Sequence, residues 1–272
     1  MKLLTPEHLG NIHIANRIIM APLTRMRANE AGVPSPLAVE YYQQRASAGL
    51  IITEATQISP LGKGYPGTPG IHTKEQLIAW QKITKAVHEK NGKIVLQLWH
   101  VGRISHTSHH PEQGLPVAPS ALKPSGKVFT AHWQQADYEI PRAMDTHEIP
   151  ALIKSFEEAA KMALEAGFDG VEVHGANGYL LDQFLQDGTN HRNDQYGGSI
   201  QNRCRLVLEV LEAVTRIWEP GRVGLRISPY GTFNDMQDSD PVALFTYLIE
   251  QLNPLHLAYL HMIEEAEKRD HR

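Results

Sequence analysis

Six short apolar runs bounded by turn residues recur along the chain, at 18–23, 49–55, 93–99, 169–174, 222–228 and 257–262. Several are nearly continuous in Val, Ile and Leu, the pattern of strands buried on both faces. Between them, 36–48, 74–91, 146–166, 199–219 and 240–252 carry apolar residues at helical spacing, with Ser, Thr or Asp near several starts. Strand and helix in alternation predict a parallel sheet with crossover helices, five helices between six strands. Two stretches break the alternation. Residues 101–147, rich in Pro, Ser, His and Gly, exceed an ordinary loop and predict a lid or small subdomain folded over one end. After the sixth run the chain continues only through 263–272, almost all charged. No repeat beyond the strand–helix unit and no low-complexity linker divides the chain, so 1–272 reads as one domain.

Composition narrows the class. With 272 residues, 42% of them hydrophobic, the chain can bury a sizeable core. A net charge of −4 without a long basic run lacks the footprint of a nucleic-acid binder. The single cysteine, Cys204, lies between two arginines; it can form no internal disulfide and fits a reducing compartment. Residues 1–10 contain no apolar signal core, and the longest apolar runs fall far short of the ~20 residues a membrane span needs. The expectation is a soluble cytoplasmic protein.

Read to its end, each of the first five strands arrives at a polar group or small residue: Thr24, Glu54 with Ala55, Gln97, His174 and Arg226. Parallel α/β sheets and barrels place ligands at these ends, where the βα loops converge. Any one of the five alone reads more readily as a capping or loop residue. Together they predict hydrogen-bonding groups around one mouth, with Arg226 a cation for a delocalised anion. The densest segment, 171–187, reads VEVHGANGYLLDQFLQD. His174 and Asn177 can both donate to one oxygen, and Tyr179 can deliver a proton as a general acid. The alternative is a satisfied core histidine with a packing tyrosine.

Other chemistry finds less support. His100, His106, His109 and His110 crowd the start of the insert, yet their spacing matches no zinc pattern and no cysteine is near, so a solvated loop is favoured over a metal site. Gly197, Gly198 and Ser199 read as a helix start capped by Ser199, because G-x-G-x-x-G is absent. Neither G-x-S-x-G nor a plausible Cys/His pair is present, which weakens a nucleophilic hydrolase. A flavin-free metal hydrolase is disfavoured by the lack of ligands at the strand ends.

Long stretches carry a family resemblance: NRIIMAPLTRMRA, EYYQQRASAGLIITEATQIS, VLQLWHVGRISH, AGFDGVEVHGANGYLLDQFL, NDQYGGSIQNRCRLVLEVLEAV and GLRISPYGTF, in that order. The chain resembles the old yellow enzyme family of FMN-dependent ene-reductases, in particular its bacterial N-ethylmaleimide reductase-like and pentaerythritol tetranitrate reductase-like branch. The resemblance implies a (β/α)8 barrel of which about six βα units are present. It implies an oxidoreductase that takes hydride from NADPH or NADH and reduces the activated C=C bond of an α,β-unsaturated carbonyl or nitro compound. Pro22, Leu23 and Thr24 would run along the flavin, Ala55 would support the ring, Gln97 would meet its pyrimidine edge, and Arg226 would stabilise negative charge near N1 and O2. His174 and Asn177 would hold the activating oxygen of the substrate and Tyr179 would protonate Cα, with Tyr65, Trp99 and Arg142 lining the pocket. In the family a seventh and an eighth strand follow and hold the FMN phosphate. The expectation here is a C-terminally shortened barrel, completed by a second chain or binding FMN weakly, with the charged tail from Glu264 capping the exposed edge. The alternative function is a catalytically silent remnant that acts only in assembly.

Overall fold

The apolar runs pair in chain order. In the computed structural model, which describes residues 2–110, 112 and 114–264, six parallel strands form one sheet: β1 (Ile19–Met20), β2 (Leu50–Ile52), β3 (Ile94–Trp99), β4 (Gly170–Gly175), β5 (Val223–Ile227) and β6 (Tyr259–Met262). Each strand pairs with the next, and Thr56–Gln57 resumes the pairing of the second run with β3. The sheet curls. Its two edge strands, β1 and β6, face each other across an apolar cleft of about 280 Å³ lined by Ile19, Leu50, Ile52, Tyr259 and His261.

Alternation along the strands sorts side chains to the two faces. Outward, Ile51, Leu96, Leu98, Val171, Val173, Leu225 and Ile227 join one core with the helices α1 (Leu37–Gln43), α2 (Lys74–His88), α3 (Ile149–Glu165), α4 (Leu180–Leu185), α5 (Ile200–Thr215) and α6 (Pro241–Leu252). Trp80 of α2 and Phe156 of α3 are fully buried there, so truncating either to alanine is expected to cost about 3–5 kcal/mol. The helix starts follow the sequence. Thr73 and Gln76 form a reciprocal capping box on α2, Ser199 accepts from Asn202 on α5, and Asp240 accepts from Ala243 on α6.

Inward, Leu50, Ile52 and Val95 pack against Ile12 and Ile14. These last belong to an N-terminal hairpin, Glu7–Leu9 with Ile12–Ile14, which plugs the base of the sheet and docks through Asn11 N on Gly221 O at 2.9 Å. Strand β5 meets β6 at Gly224, where a Cβ would lie 2.4 Å from the Tyr259 ring; the missing side chain lets that ring cross the interior.

The segment 101–147 holds a hairpin, Lys127–Phe129 with Gln135–Asp137, and a short parallel pair, Val117–Ala118 with Arg142–Ala143. It is clasped to the loop after β5. The buried Arg103 guanidinium donates to Leu122 O (3.1 Å) and to Asn234 O (2.9 Å), and Ser125 Oγ donates to Asp235 at 2.7 Å. Among the described residues no helix is long and apolar enough to cross a membrane. The tail expected to cap the sheet edge lies, beyond Glu264, outside the described residues.

Candidate active site

The site is built on the ends of β3, β4 and β5. Register places His174 beside Arg226, and Arg226 beside His261. One layer deeper, Glu172 stands between Gln97 and Gly224. Past His174 the chain turns sharply. Asn177 (φ 59°) and Gly178 (φ 72°) take left-handed conformations, and a Cβ on Gly178 would come within 2.7 Å of Asn234 Cβ and Phe233 O. The turn is held by Asn177 N donating to Ser228 Oγ (2.8 Å), Gly178 N to Asp182 (2.8 Å) and Asn234 Nδ2 to Asn177 O (2.8 Å). None of these bonds uses the Asn177 side chain.

Tyr179 leaves this turn into α4 and points into an aromatic cluster. Its ring lies edge-on to Trp99 at 4.9 Å and to His174 at 5.2 Å, while Tyr65 stacks on Trp99 at 5.7 Å. The Tyr65 and Tyr179 hydroxyls are 3.3 Å apart. Ala55, Val101, Ile104, Val128 and Tyr138 complete the cluster, the last four carried by the segment 101–147. Burial pushes the Tyr179 phenol up to about 12, so it keeps its proton at neutral pH. Burial, reinforced by the neighbouring Arg226 and His261, holds His174 well below the usual histidine value, so its ring is neutral. Burial lowers Arg226, opposed by the Glu172 carboxylate.

Most of the expected residues therefore converge: Tyr65, Trp99, His174, Asn177, Tyr179 and Arg226 around the mouth, Ala55 beneath Trp99 and Tyr179, and Gln97 just below. Pro22, Leu23 and Thr24 follow β1 as a non-helical, unpaired stretch; Leu23 and Thr24 are exposed. Arg142 is not brought to the cluster. Its guanidinium is bidentate on Glu148, at 2.6 and 2.8 Å, beside the start of α3. That partner six residues on is what takes it out of the pocket reading. Glu54 also turns elsewhere, accepting from the Tyr42 hydroxyl (3.2 Å) and the Arg25 backbone N–H (3.2 Å), and burial pushes it up to about 7. The crowded histidines of the insert are occupied with hydroxyls and backbone: His106 with Ser108, His109 with Phe129 O, His110 with Ser105 and Gly114 O. Cys204 is buried, which pushes its thiol up to about 12.

Sequence reasoning missed Glu172, Asp182 and Tyr138. A charged residue inside an otherwise apolar strand is a usable signal for Glu172. Tyr138 offers none, because it reaches the cluster only through the fold of the insert.

Three buried polar atoms at the mouth have no partner: His174 Nδ1, Trp99 Nε1 and Arg226 Nε. Buried polar atoms are almost always satisfied, so unmet groups around one opening mark a ligand. A flat heteroaromatic ring with carbonyl oxygens and ring nitrogens has the chemistry to meet a guanidinium and to lie along the exposed Pro22–Thr24 stretch.

A family model described as NADH:flavin oxidoreductase / NADH oxidase matches residues 2–272. The chain belongs to this family. Among curated relatives it is 49% identical over 265 residues to 12-oxophytodienoate reductase 1 of Oryza sativa subsp. japonica, covering 96% of this chain and 68% of the relative. It is 48% identical over 271 residues to flavin oxidoreductase hxnT of Emericella nidulans, covering 96% and 69%. Among solved structures, the old yellow enzyme homologue from Zymomonas mobilis superposes with a TM-score of 0.93 at 45% identity, covering 96% of this chain and 73% of that one. Morphinone reductase in complex with tetrahydroNAD gives 0.92 at 49%, covering 96% and 73%. The protein is thus an FMN-dependent oxidoreductase of old yellow enzyme type on an α/β barrel scaffold, with FMN as cofactor and a nicotinamide as hydride donor.

Proposed function

We propose that this old yellow enzyme-type chain is an NAD(P)H-dependent ene-reductase acting on α,β-unsaturated carbonyl or nitro compounds. FMN, when bound, supplies the hydride that reaches Cβ of the substrate, having taken it from NADPH or NADH. The chain's own residues do the rest. His174, neutral, and the free amide of Asn177 hold the carbonyl or nitro oxygen, drawing charge toward it as the double bond is reduced. Tyr179, kept protonated by burial, gives its proton to Cα, and the Tyr65 hydroxyl at 3.3 Å is the next group along which that proton is replaced. Pro22, Leu23, Thr24, Ala55, Gln97 and Arg226 form the cofactor's bed, with Arg226 countering negative charge on the ring. Residues 101–147, reaching the cluster through Val128 and Tyr138, act as the lid over the substrate. A soluble partner class follows: a small activated alkene or nitro compound.

The observation that carries this reading is the protonated, buried Tyr179 phenol set edge-on to a neutral His174. The test has two parts. Protein incubated with excess FMN and desalted is expected to keep near one flavin per chain, read from the flavin absorbance band; a colourless, folded protein overturns the reading. Tyr179→Phe is then expected to slow alkene reduction about 10²–10⁴-fold while flavin reduction by the nicotinamide stays within a few-fold. Equal loss in both half-reactions removes Tyr179 from the acid role.

A further inference from the structure

Below the mouth lies a carboxylate that the chemistry above does not use. Glu172, on β4, is fully buried in the barrel interior. Its Oε1 accepts from Gln97 Nε2 at 2.7 Å and its Oε2 pairs with His261 Nδ1 at 2.9 Å. The Tyr259 ring, admitted by the missing side chain of Gly224, fills the space beside it. A carboxylate so placed is costly unless donors surround it, and here donors on β3 and β6 converge on it from both sides.

The consequence concerns Gln97. An ionised carboxylate can only accept, whereas a primary amide has a donor end and an acceptor end. Gln97 must therefore turn its NH2 group to Glu172. The amide is planar, so its Oε1 faces away from that carboxylate, and among the described residues the Gln97 side chain bonds only through its Nε2. Gln97 is itself buried, at 1% exposure, which leaves the amide little freedom to reorient.

We propose that Glu172 is a positioning residue that fixes the polarity of the Gln97 amide, so that Gln97 offers the mouth an acceptor and the site selects a ring edge bearing an N–H. The inference rests on the reading that Gln97 meets the polar edge of the cofactor. For a flavin, the matching group is the imide N–H at N3. Glu172→Gln keeps size and shape but replaces a pure acceptor with a side chain that both donates and accepts, so Gln97 is released to present either end.

The test compares FMN with its N3-methyl derivative, which lacks that N–H, by quenching of flavin fluorescence. The wild-type chain is expected to prefer FMN by about tenfold or more, the scale of one buried hydrogen bond left unmade. In Glu172→Gln the preference is expected to fall to within about twofold to threefold, because the methylated ring loses nothing further while FMN loses its partner. Because steric exclusion by the methyl group acts in both proteins, the change in preference isolates the acceptor. An equal preference in the two proteins, or none in the wild type, overturns the proposal. A readout without flavin separates this from the cofactor reading. In heteronuclear NMR of the unloaded chain, the Gln97 side-chain NH2 signals, assigned by their loss in Gln97→Met, are expected to be protected from solvent exchange and to lose that protection in Glu172→Gln. If neither flavin binds but the protection behaves this way, the cofactor reading fails and the Glu172 assignment stands; rapid exchange in the wild type overturns the assignment.

Discussion

Strand β4 has two ends built on opposite rules. At its base Asp169 is saturated: Lys93 Nζ at 2.8 Å, His88 Nε2 at 2.8 Å and Ile94 N at 2.9 Å meet its carboxylate, and Arg222 donates to its carbonyl at 3.0 Å. At the mouth, His174, Trp99 and Arg226 each leave a buried polar atom unmet. The two ends share a strand, a sheet and similar burial, so packing alone does not explain the difference. The base is finished by the chain itself, whereas the mouth is left for a ligand to finish. Unmet buried polar atoms occur elsewhere too, as at Arg203 Nε and Trp218 Nε1, so it is the grouping of three of them around one opening that marks a functional site there.

The sharpest way to break that comparison is at the base. Asp169→Ala strips two ionic hydrogen bonds and leaves the Ile94 N–H without its partner. The expected loss is about 3 kcal/mol in urea unfolding, held to that figure because His88 and Lys93 are partly solvated. FMN affinity is expected to change less than about twofold, since the base lies at the opposite end of the strand. A neutral substitution there, or a large effect on flavin binding, would erase the distinction between the two ends.

A second test uses pH. Burial is the main cause at both Asp182, raised to about 6, which holds the turn at the mouth, and Glu54, raised to about 7, which follows β2 but turns away from the mouth. Folded-state values above the unfolded ones mean that the folded form binds these protons more tightly. Their contribution is therefore full below about pH 4 and is lost as pH rises through 6 and 7. Glu54→Gln, which stays neutral throughout, is expected to be about 2 kcal/mol more stable than wild type at pH 8 and indistinguishable at pH 4. The check is a pair of urea curves for each protein. An unchanged difference across that range would mean that Glu54 is solvated in the folded chain.

What could be read from the sequence divides along the same line. Runs whose burial is set by their own composition, such as IVLQLW and the strand ending at His174, fall where their pattern puts them. Edges fare less well. Of the run 18–23 only Ile19–Met20 pairs, and the run 49–55 breaks after Ile52 before pairing resumes at Thr56. Helix α1 stops at Gln43, short of the expected 48, and α4 is not among the five helices that the spacing predicts. The mouth was legible because its residues end successive strands, a one-dimensional signal. Arg142 was misplaced because its guanidinium is claimed by Glu148, and Tyr138 was invisible because the insert's fold, not any spacing, carries it to Tyr179.

The smallest stability effect is expected at the mouth itself, and it is the most discriminating. Arg226→Met removes a cation whose Nε has no partner and whose charge burial disfavours. Glu172 keeps its direct donors, Gln97 and His261, so the substitution orphans no hydrogen bond there. An apolar chain of similar length refills most of the space, and replacing a buried ion in this way is often neutral or stabilising. The expected stability change is within about 1 kcal/mol of wild type, in either direction, while FMN affinity falls about tenfold or more because charge on the ring is no longer countered. A loss above about 2 kcal/mol would show that Glu172 needs Arg226 in the unliganded chain. The mouth would then be finished by the chain as the base is, and the unmet atoms there would lose their meaning as the imprint of a ligand.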